Sequence, residues 1–153
     1  MIDIHHEGIA EAPVATTFAY VDDYRNTPKW MFGLSRFDPV TDQLSGLGAT
    51  YDGTFAVKPI KLHSSIRITG WEQDKLIALE SYEGFEIKST WNFESLGPEQ
   101  SKVIVDFSYE LPGGLAGRAM GRVLEPIVLL SIRHSDHALR EGIAATYRAA
   151  KGS

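Results

Sequence analysis

The sequence predicts an α+β fold, a curved antiparallel sheet of about six to seven strands wrapped around a long C-terminal helix, with one or two short helices after the first strand. Three observations predict it. Apolar residues recur with period two from Leu34 to Leu111, as in strands with one buried face. Beyond the "LPGG" at 111–114 they recur at helical spacing. The apolar sheet face and the amphipathic helix both need cover, and the simplest solution buries one against the other. A twisted sheet of this size curls around the helix.

At the N-terminus, Ile2, Ile4 and His6 alternate with Asp3, His5 and Glu7, which predicts a half-buried strand over residues 1–9. Pro13 suits the first turn of a helix, where its missing N–H is harmless. Val14, Phe18 and Val21 follow at helical spacing. Pro28 is expected to end that run, because the residue before a proline is pushed out of the α region. Directly after this stop, in "DDYRNTPKWMFG" (22–33), stand Trp30, Met31 and Phe32. Loops normally carry polar groups, so these three are expected to cover an apolar interior at its mouth, the bland alternative being that Trp30 plugs the end of the core.

In the meander, Tyr51, Gly53, Phe55 and Val57 share one face, and Leu62, Ser64, Ile66 and Ile68 share the next. Phe85, Ile87, Ser89, Trp91 and Phe93 follow, then Val103, Val105, Phe107, Tyr109 and Leu111. "KPIK", "EQDK", "YEGFE" and "LGPEQS" are the expected turns between strands. The strand "KLIALESY" is apolar on both faces and leaves the direction of Glu80 open. In the last helix Leu124, Val128, Ile132, Ser135, Ile143 and Thr146 fall within about 60° of Leu139. Arg133, His137, Arg140 and Glu141 fall outside this stripe. Pro126 is expected to bend or restart the helix, and the glycine-rich "LAGRAMGRVLE" before it to be looser.

Bulk properties narrow the function. The 153 residues, 43% hydrophobic and 23% charged, fit one globular domain over 1–153, with the last few residues disordered. No apolar run reaches the eighteen or so residues of a membrane span. "MIDIHHEG" has no basic and apolar regions of the kind that make a secretory signal. Cysteine is absent, which removes disulfides, thiolate metal sites and Cys nucleophiles, and suits a cytoplasmic protein. Residues 115–153 hold six Lys/Arg against three Asp/Glu, out of totals of 15 and 20. That excess is too weak for a nucleic-acid footprint, and no DNA partner is expected.

Catalytic motifs are scarce. His5 and His6 point to opposite faces of a strand and cannot share one metal ion. His134 and His137 could share one, with Asp136 rotated off, but they lie away from the apolar stripe, so no metal is assigned. No GxSxG elbow or phosphate loop occurs, and "LPGGLAG" reads as a chain reversal. Tyr51 and Tyr109 point inward and, with Glu80, are the weak acid–base candidates, while His63 and Arg67 are expected outward.

The order of elements resembles the START-like, or SRPBCC, helix-grip superfamily, the fold of START and Bet v 1-like proteins, and within it the bacterial polyketide cyclase/dehydrase and lipid-transport group. The resemblance spans nearly the whole chain. It rests on "APVATTFAYVDDYRNTPKW", on "GATYDGTFAV", "ITGWEQDKLIALES" and "STWNFESLG…SKVIVDFSYELP", and on the final "LREGIAATYRAAK". It implies a cavity between sheet and C-terminal helix that takes a hydrophobic or amphipathic small molecule such as a lipid, a quinone or an aromatic polyketide-like compound. No cofactor is implied. Trp30, Phe32, Tyr51, Phe55, Phe85, Ser89, Trp91, Phe107, Tyr109, Val128, Ile132 and Ser135 are the expected ligand-binding residues. The bland alternative is that the rings simply fill a core. The alternative functions are an aromatase/cyclase or dehydratase with acid–base groups in the pocket, and a protein-interaction module, toxin-like or ribosome-associated. A homodimer or a protein partner stays open.

Overall fold

A computed structural model describes residues 2–57, 60–110 and 114–152, and side chains for 3–56, 61–110 and 131–152. Its elements run β1 (Ile2–Ala10), α1 (Val14–Asp22), α2 (Thr27–Trp30), β2 (Leu34–Pro39), β3 (Thr50–Val57), β4 (Ile60–Glu72), β5 (Leu76–Gly84), β6 (Glu86–Gly97), β7 (Gln100–Glu110) and α3 (Gly114–Lys151). The seven strands form one antiparallel sheet in the order β1-β7-β6-β5-β4-β3-β2. The expected helix-grip architecture is therefore present, with β2 to β7 as the meander and β1 added beside β7.

Bulges bend this sheet. The β4–β5 register shifts between Ser65 and Ile66 and again between Ile68 and Gly70. Each extra residue raises the local twist and reverses which face the following side chains take. The second shift carries Trp71 to the inner face, where it meets Phe18 edge-on, ring centroids 5.6 Å apart. Phe93 also meets Phe18 edge-on, at 5.1 Å. These three rings do fill a core, at the α1 end of the sheet. Beside them Thr17 and Ser101, both fully buried, share a hydrogen bond of 2.7 Å, and the Ser101 hydroxyl donates to the Ala12 carbonyl at 3.0 Å. That second bond uses the Ser101 proton, so Thr17 must be the donor in the first.

The first helix ends earlier than expected, at Asp22 and not before Pro28. Asp23 accepts from the Arg25 backbone N–H and guanidinium, and Asn26 Nδ2 donates to the Tyr20 carbonyl. These side chains satisfy the chain as it turns. Pro28 then sits in the first turn of α2, where its fixed φ favours a helix start. Trp30 thus belongs to a short helix, and only Met31 and Phe32 follow it.

α3 is continuous through Pro126, so the restart expected there does not occur. The helix loses one backbone bond at the proline, and the bonds of the flanking turns carry it past. Leu139 and Ile143 are buried as the stripe predicts, but Thr146 is exposed and returns its hydroxyl to the Gly142 carbonyl at 2.8 Å. The expected "KPIK" and "LPGG" turns fall largely outside the described residues. No described helix is long and apolar enough to cross a membrane.

Candidate functional site

Sheet curvature leaves a cavity of about 240 Å³ between the strands and α3. Strand parity supplies its walls. β1 contributes Ile4 and His6, β7 contributes Val105, Phe107 and Tyr109, and β6 contributes Trp91. Phe55, Leu62 and Phe85 close the far side; Ile132, Ser135 and Leu139 face them from α3. The rings touch in series, with centroids 6.5 Å apart for Phe55–Phe85, 6.0 Å for Phe85–Tyr109 and 5.8 Å for Phe107–Tyr109. Phe32, 40% exposed, and Arg140 mark where the cavity opens. The Phe32 backbone N–H donates to Ser135 Oγ at 3.0 Å, which ties the mouth segment to α3.

Charge gathers on one part of this lining. His6 Nε2 lies 2.9 Å from Asp136 Oδ1, close enough for an ion pair although angled off the axis of a good hydrogen bond. Arg140 Nε lies 2.9 Å from Asp136 Oδ2 and forms an ion pair with it. The backbone makes room for the carboxylate: a Cβ on Gly8 would stand 2.6 Å from Asp136 Oδ1. Asp136 is thus largely buried between two cationic or potentially cationic groups, and it can orient the imidazole.

A second chamber of about 100 Å³ lies against the first and shares Trp30, Met31, Phe55, Trp91 and Phe107 with it. Trp30 packs edge-on against Trp91, 5.3 Å between centroids. The wall also carries Asp22, Tyr51 and Ser89. The Tyr51 hydroxyl donates to the Leu44 carbonyl at 2.5 Å. Burial, reinforced by the nearby Asp22 carboxylate, pushes the Tyr51 phenol up to about 12. Burial also raises Asp22, against the opposing effect of the Trp71 indole N–H that donates to it at 2.9 Å.

Of the residues expected from sequence, Trp30, Phe32, Phe55, Phe85, Trp91, Phe107, Tyr109, Ile132 and Ser135 line the larger cavity. Tyr51 and Ser89 line the smaller chamber. The side chain of Val128 lies outside the described residues. Glu80 is exposed, on the face opposite Ile77 and Leu79, and pairs across the sheet with Arg67 and Lys88. It cannot act in either chamber from there. His63, Arg67, His134 and His137 are exposed too. Sequence reasoning missed the His6–Asp136–Arg140 group. The available signal was weak: His6 and a glycine share the inner face of β1, and Asp136 and Arg140 stand one helical turn apart.

The family described as "Polyketide cyclase / dehydrase and lipid transport" matches residues 1–141. None of the curated proteins matches the chain in sequence. Among solved structures, a Thermus thermophilus protein superposes with a TM-score of 0.74 at 18% identity, covering 97% of this chain and 99% of its own. An aromatase/cyclase from a Streptomyces species gives 0.74 at 14% identity, with 93% of each chain covered. A START superfamily protein from Mycobacterium smegmatis gives 0.72 at 14%, covering 92% of this chain and 96% of its own. At such identities the likeness establishes the fold alone.

Proposed function

This chain belongs to the polyketide cyclase/dehydrase and lipid-transport family, and from that membership we propose that it binds or carries a hydrophobic or amphipathic small molecule between its sheet and C-terminal helix. The observation that carries the reading is the 240 Å³ cavity, walled by aromatic and aliphatic side chains with a few polar groups at one part of its lining. The two chambers together reach the lower end of the roughly 300–1,000 Å³ typical of small-molecule sites. Burying apolar ligand surface there gains about 25 cal/mol per Å², and the His6–Asp136–Arg140 group stands beside it for a polar end. Calorimetric titration with quinones, fatty acids and aromatic polyketides should give saturable binding to at least one class. Ile132→Trp, which fills the cavity from α3, should weaken it at least tenfold; absence of binding to all classes would end the reading.

A second reading is favoured by the His6–Asp136 pair. An imidazole oriented by a carboxylate on a cavity wall is equipped to move protons, as cyclisation or dehydration of a poly-β-keto substrate requires. Tyr51 is poorly suited to the base role at neutral pH, because its phenol stays protonated until about 12. Turnover that falls by two or more orders of magnitude in both His6→Gln and Asp136→Asn, with binding retained, would establish catalysis. Turnover equal to the parent's in both variants would exclude the His6–Asp136 pair as its source, and no turnover by the parent protein would exclude catalysis.

A further inference from the structure

Few residues carry charge on the wall of the larger cavity. Among its described lining residues Asp136 is the one carboxylate, Arg140 the one permanent cation and His6 the one histidine. Asp136 divides its two oxygens between the others, with Oδ1 2.9 Å from His6 Nε2 and Oδ2 2.9 Å from Arg140 Nε. Exposure separates the partners: the Asp136 side chain is 16% exposed and that of Arg140 49%. The carboxylate is thus held within the group, and the guanidinium is its accessible end.

A guanidinium has five N–H donors. Arg140 meets Asp136 through Nε, and no other described residue pairs with it. Its terminal nitrogens therefore keep donors for a further acceptor. On an ordinary surface arginine water answers them; here Nε is anchored on a lining residue, which keeps the guanidinium beside the opening of an apolar space. The surroundings favour an anion. From Ser131 to Arg140, α3 has Arg133, His134, His137 and Arg140 against Asp136 alone, and the Glu141 that follows lies 3.5 Å from His137. An approaching anion meets this excess at the mouth, and an ammonium group meets a guanidinium of its own sign. The planar fork of an arginine matches the two oxygens of a carboxylate. A neutral hydroxyl accepts there without the help of charge.

We propose that Arg140 is a specificity-determining residue that receives the carboxylate of an amphipathic anion whose apolar body fills the larger cavity. This rests on the binding function proposed above and narrows its ligand class to monoanions with a terminal carboxylate. One guanidinium balances one charge, so a phosphate dianion is a poorer match. Asp136 has a double part: it holds the guanidinium in place and competes with the ligand for it.

Octanoate, 1-octanol and octylammonium share one apolar chain and differ in charge, and each is titrated by calorimetry into the whole chain at low salt. Octanoate should bind on the order of tenfold tighter than octanol, the scale of one hydrogen bond to a charged group, and octylammonium weakest. Added salt should narrow the gap. Arg140→Gln should bring the octanoate-to-octanol affinity ratio to one or below, because Asp136 is then unopposed. Asp136→Asn should raise the ratio, since it leaves an amide oxygen for Nε and removes the competing charge. A loss of fold does not produce that opposite sign, so the second variant keeps the test valid should the first fail to fold. Octanol bound as tightly as octanoate, a preference for octylammonium, a ratio unchanged in Arg140→Gln or a ratio that falls in Asp136→Asn would each overturn the assignment and leave the binding function standing. Failure of all three probes beside saturable binding of a quinone or an aromatic polyketide would overturn the assignment alone; failure of every class would overturn both.

Discussion

Gly142 of α3 and Tyr20 of α1 meet where there is no space for a further atom: a Cβ on Gly142 would overlap the Tyr20 hydroxyl. The glycine lets the two helices close over the end of the core that holds Phe18 and Ile143. Gly142→Ala should therefore destabilise the protein by about 1–3 kcal/mol, despite the gain of about 1 kcal/mol that alanine brings to a helix. Urea unfolding measures this. Adding Tyr20→Phe should recover part of the loss, because it deletes the atom in the way; no recovery would show that the clash is not the cause.

Ser101 of β7 stands at a buried junction with α1 and the segment that precedes it. Its hydroxyl accepts from Thr17 and donates to Ala12, joining β7 to the start of α1. Ser101→Ala leaves a buried hydroxyl and a buried carbonyl unanswered, a cost of about 1–3 kcal/mol for each such group. The midpoint in urea should fall while the slope stays constant, since the exposed surface of the unfolded chain does not change. A Val14–Asp22 helix whose amides exchange no faster in the variant would argue that the junction is unimportant.

His5 lies on the outer face of β1, with Nδ1 2.6 Å from Asp106 and Nε2 3.1 Å from Glu7. The hydrogen bond to Asp106, then that to Glu7, raises its pKa above 6.5. A raised value in the folded state means that this cluster stabilises fully below the ordinary histidine value. The contribution is lost as pH rises through the higher folded value. The His5 imidazole resonance should titrate above 6.5 in NMR, and Asp106→Asn should bring it back down. Because the pair is exposed, the effect on melting temperature should be small and should shrink with salt.

Tyr51→Phe removes the bond to the Leu44 carbonyl and leaves the stacked contact with Phe37, 4.8 Å between centroids. About 1 kcal/mol of stability should go, and amide exchange should quicken in the loop between β2 and β3. In the parent protein, phenolate absorbance should show one tyrosine titrating near 12 that is missing from the variant. A full complement of tyrosines titrating near 10 would contradict the burial of this phenol.

Much of this architecture was legible because alternation in a sheet with one buried face is a local property. Tyr51, Phe55, Ser89, Trp91 and Phe107 point inward as their parity requires; the twist of so large a sheet supplied the curvature that parity cannot, and the resemblance to a known family supplied the cavity. Trp71 defied parity, because a bulge two residues earlier reverses the faces and no sequence pattern announces a bulge. The first helix ended at Asp22 because side chains of Asp23 and Asn26 satisfy the turn, a choice invisible to a reading that waits for proline. His6, Asp136 and Arg140 escaped because their contact joins residues about 130 positions apart in sequence. Asp136 also sits at the margin of the apolar stripe, where helical spacing alone suggests solvent.

The indole of Trp30 is a partition between two rooms and leans on Trp91, and the chain contains three tryptophans in all. Two of its three tryptophans therefore border the hollow interior. Light from these rings should change colour and intensity when either room is furnished, so the protein has a label-free optical gauge of its own occupancy.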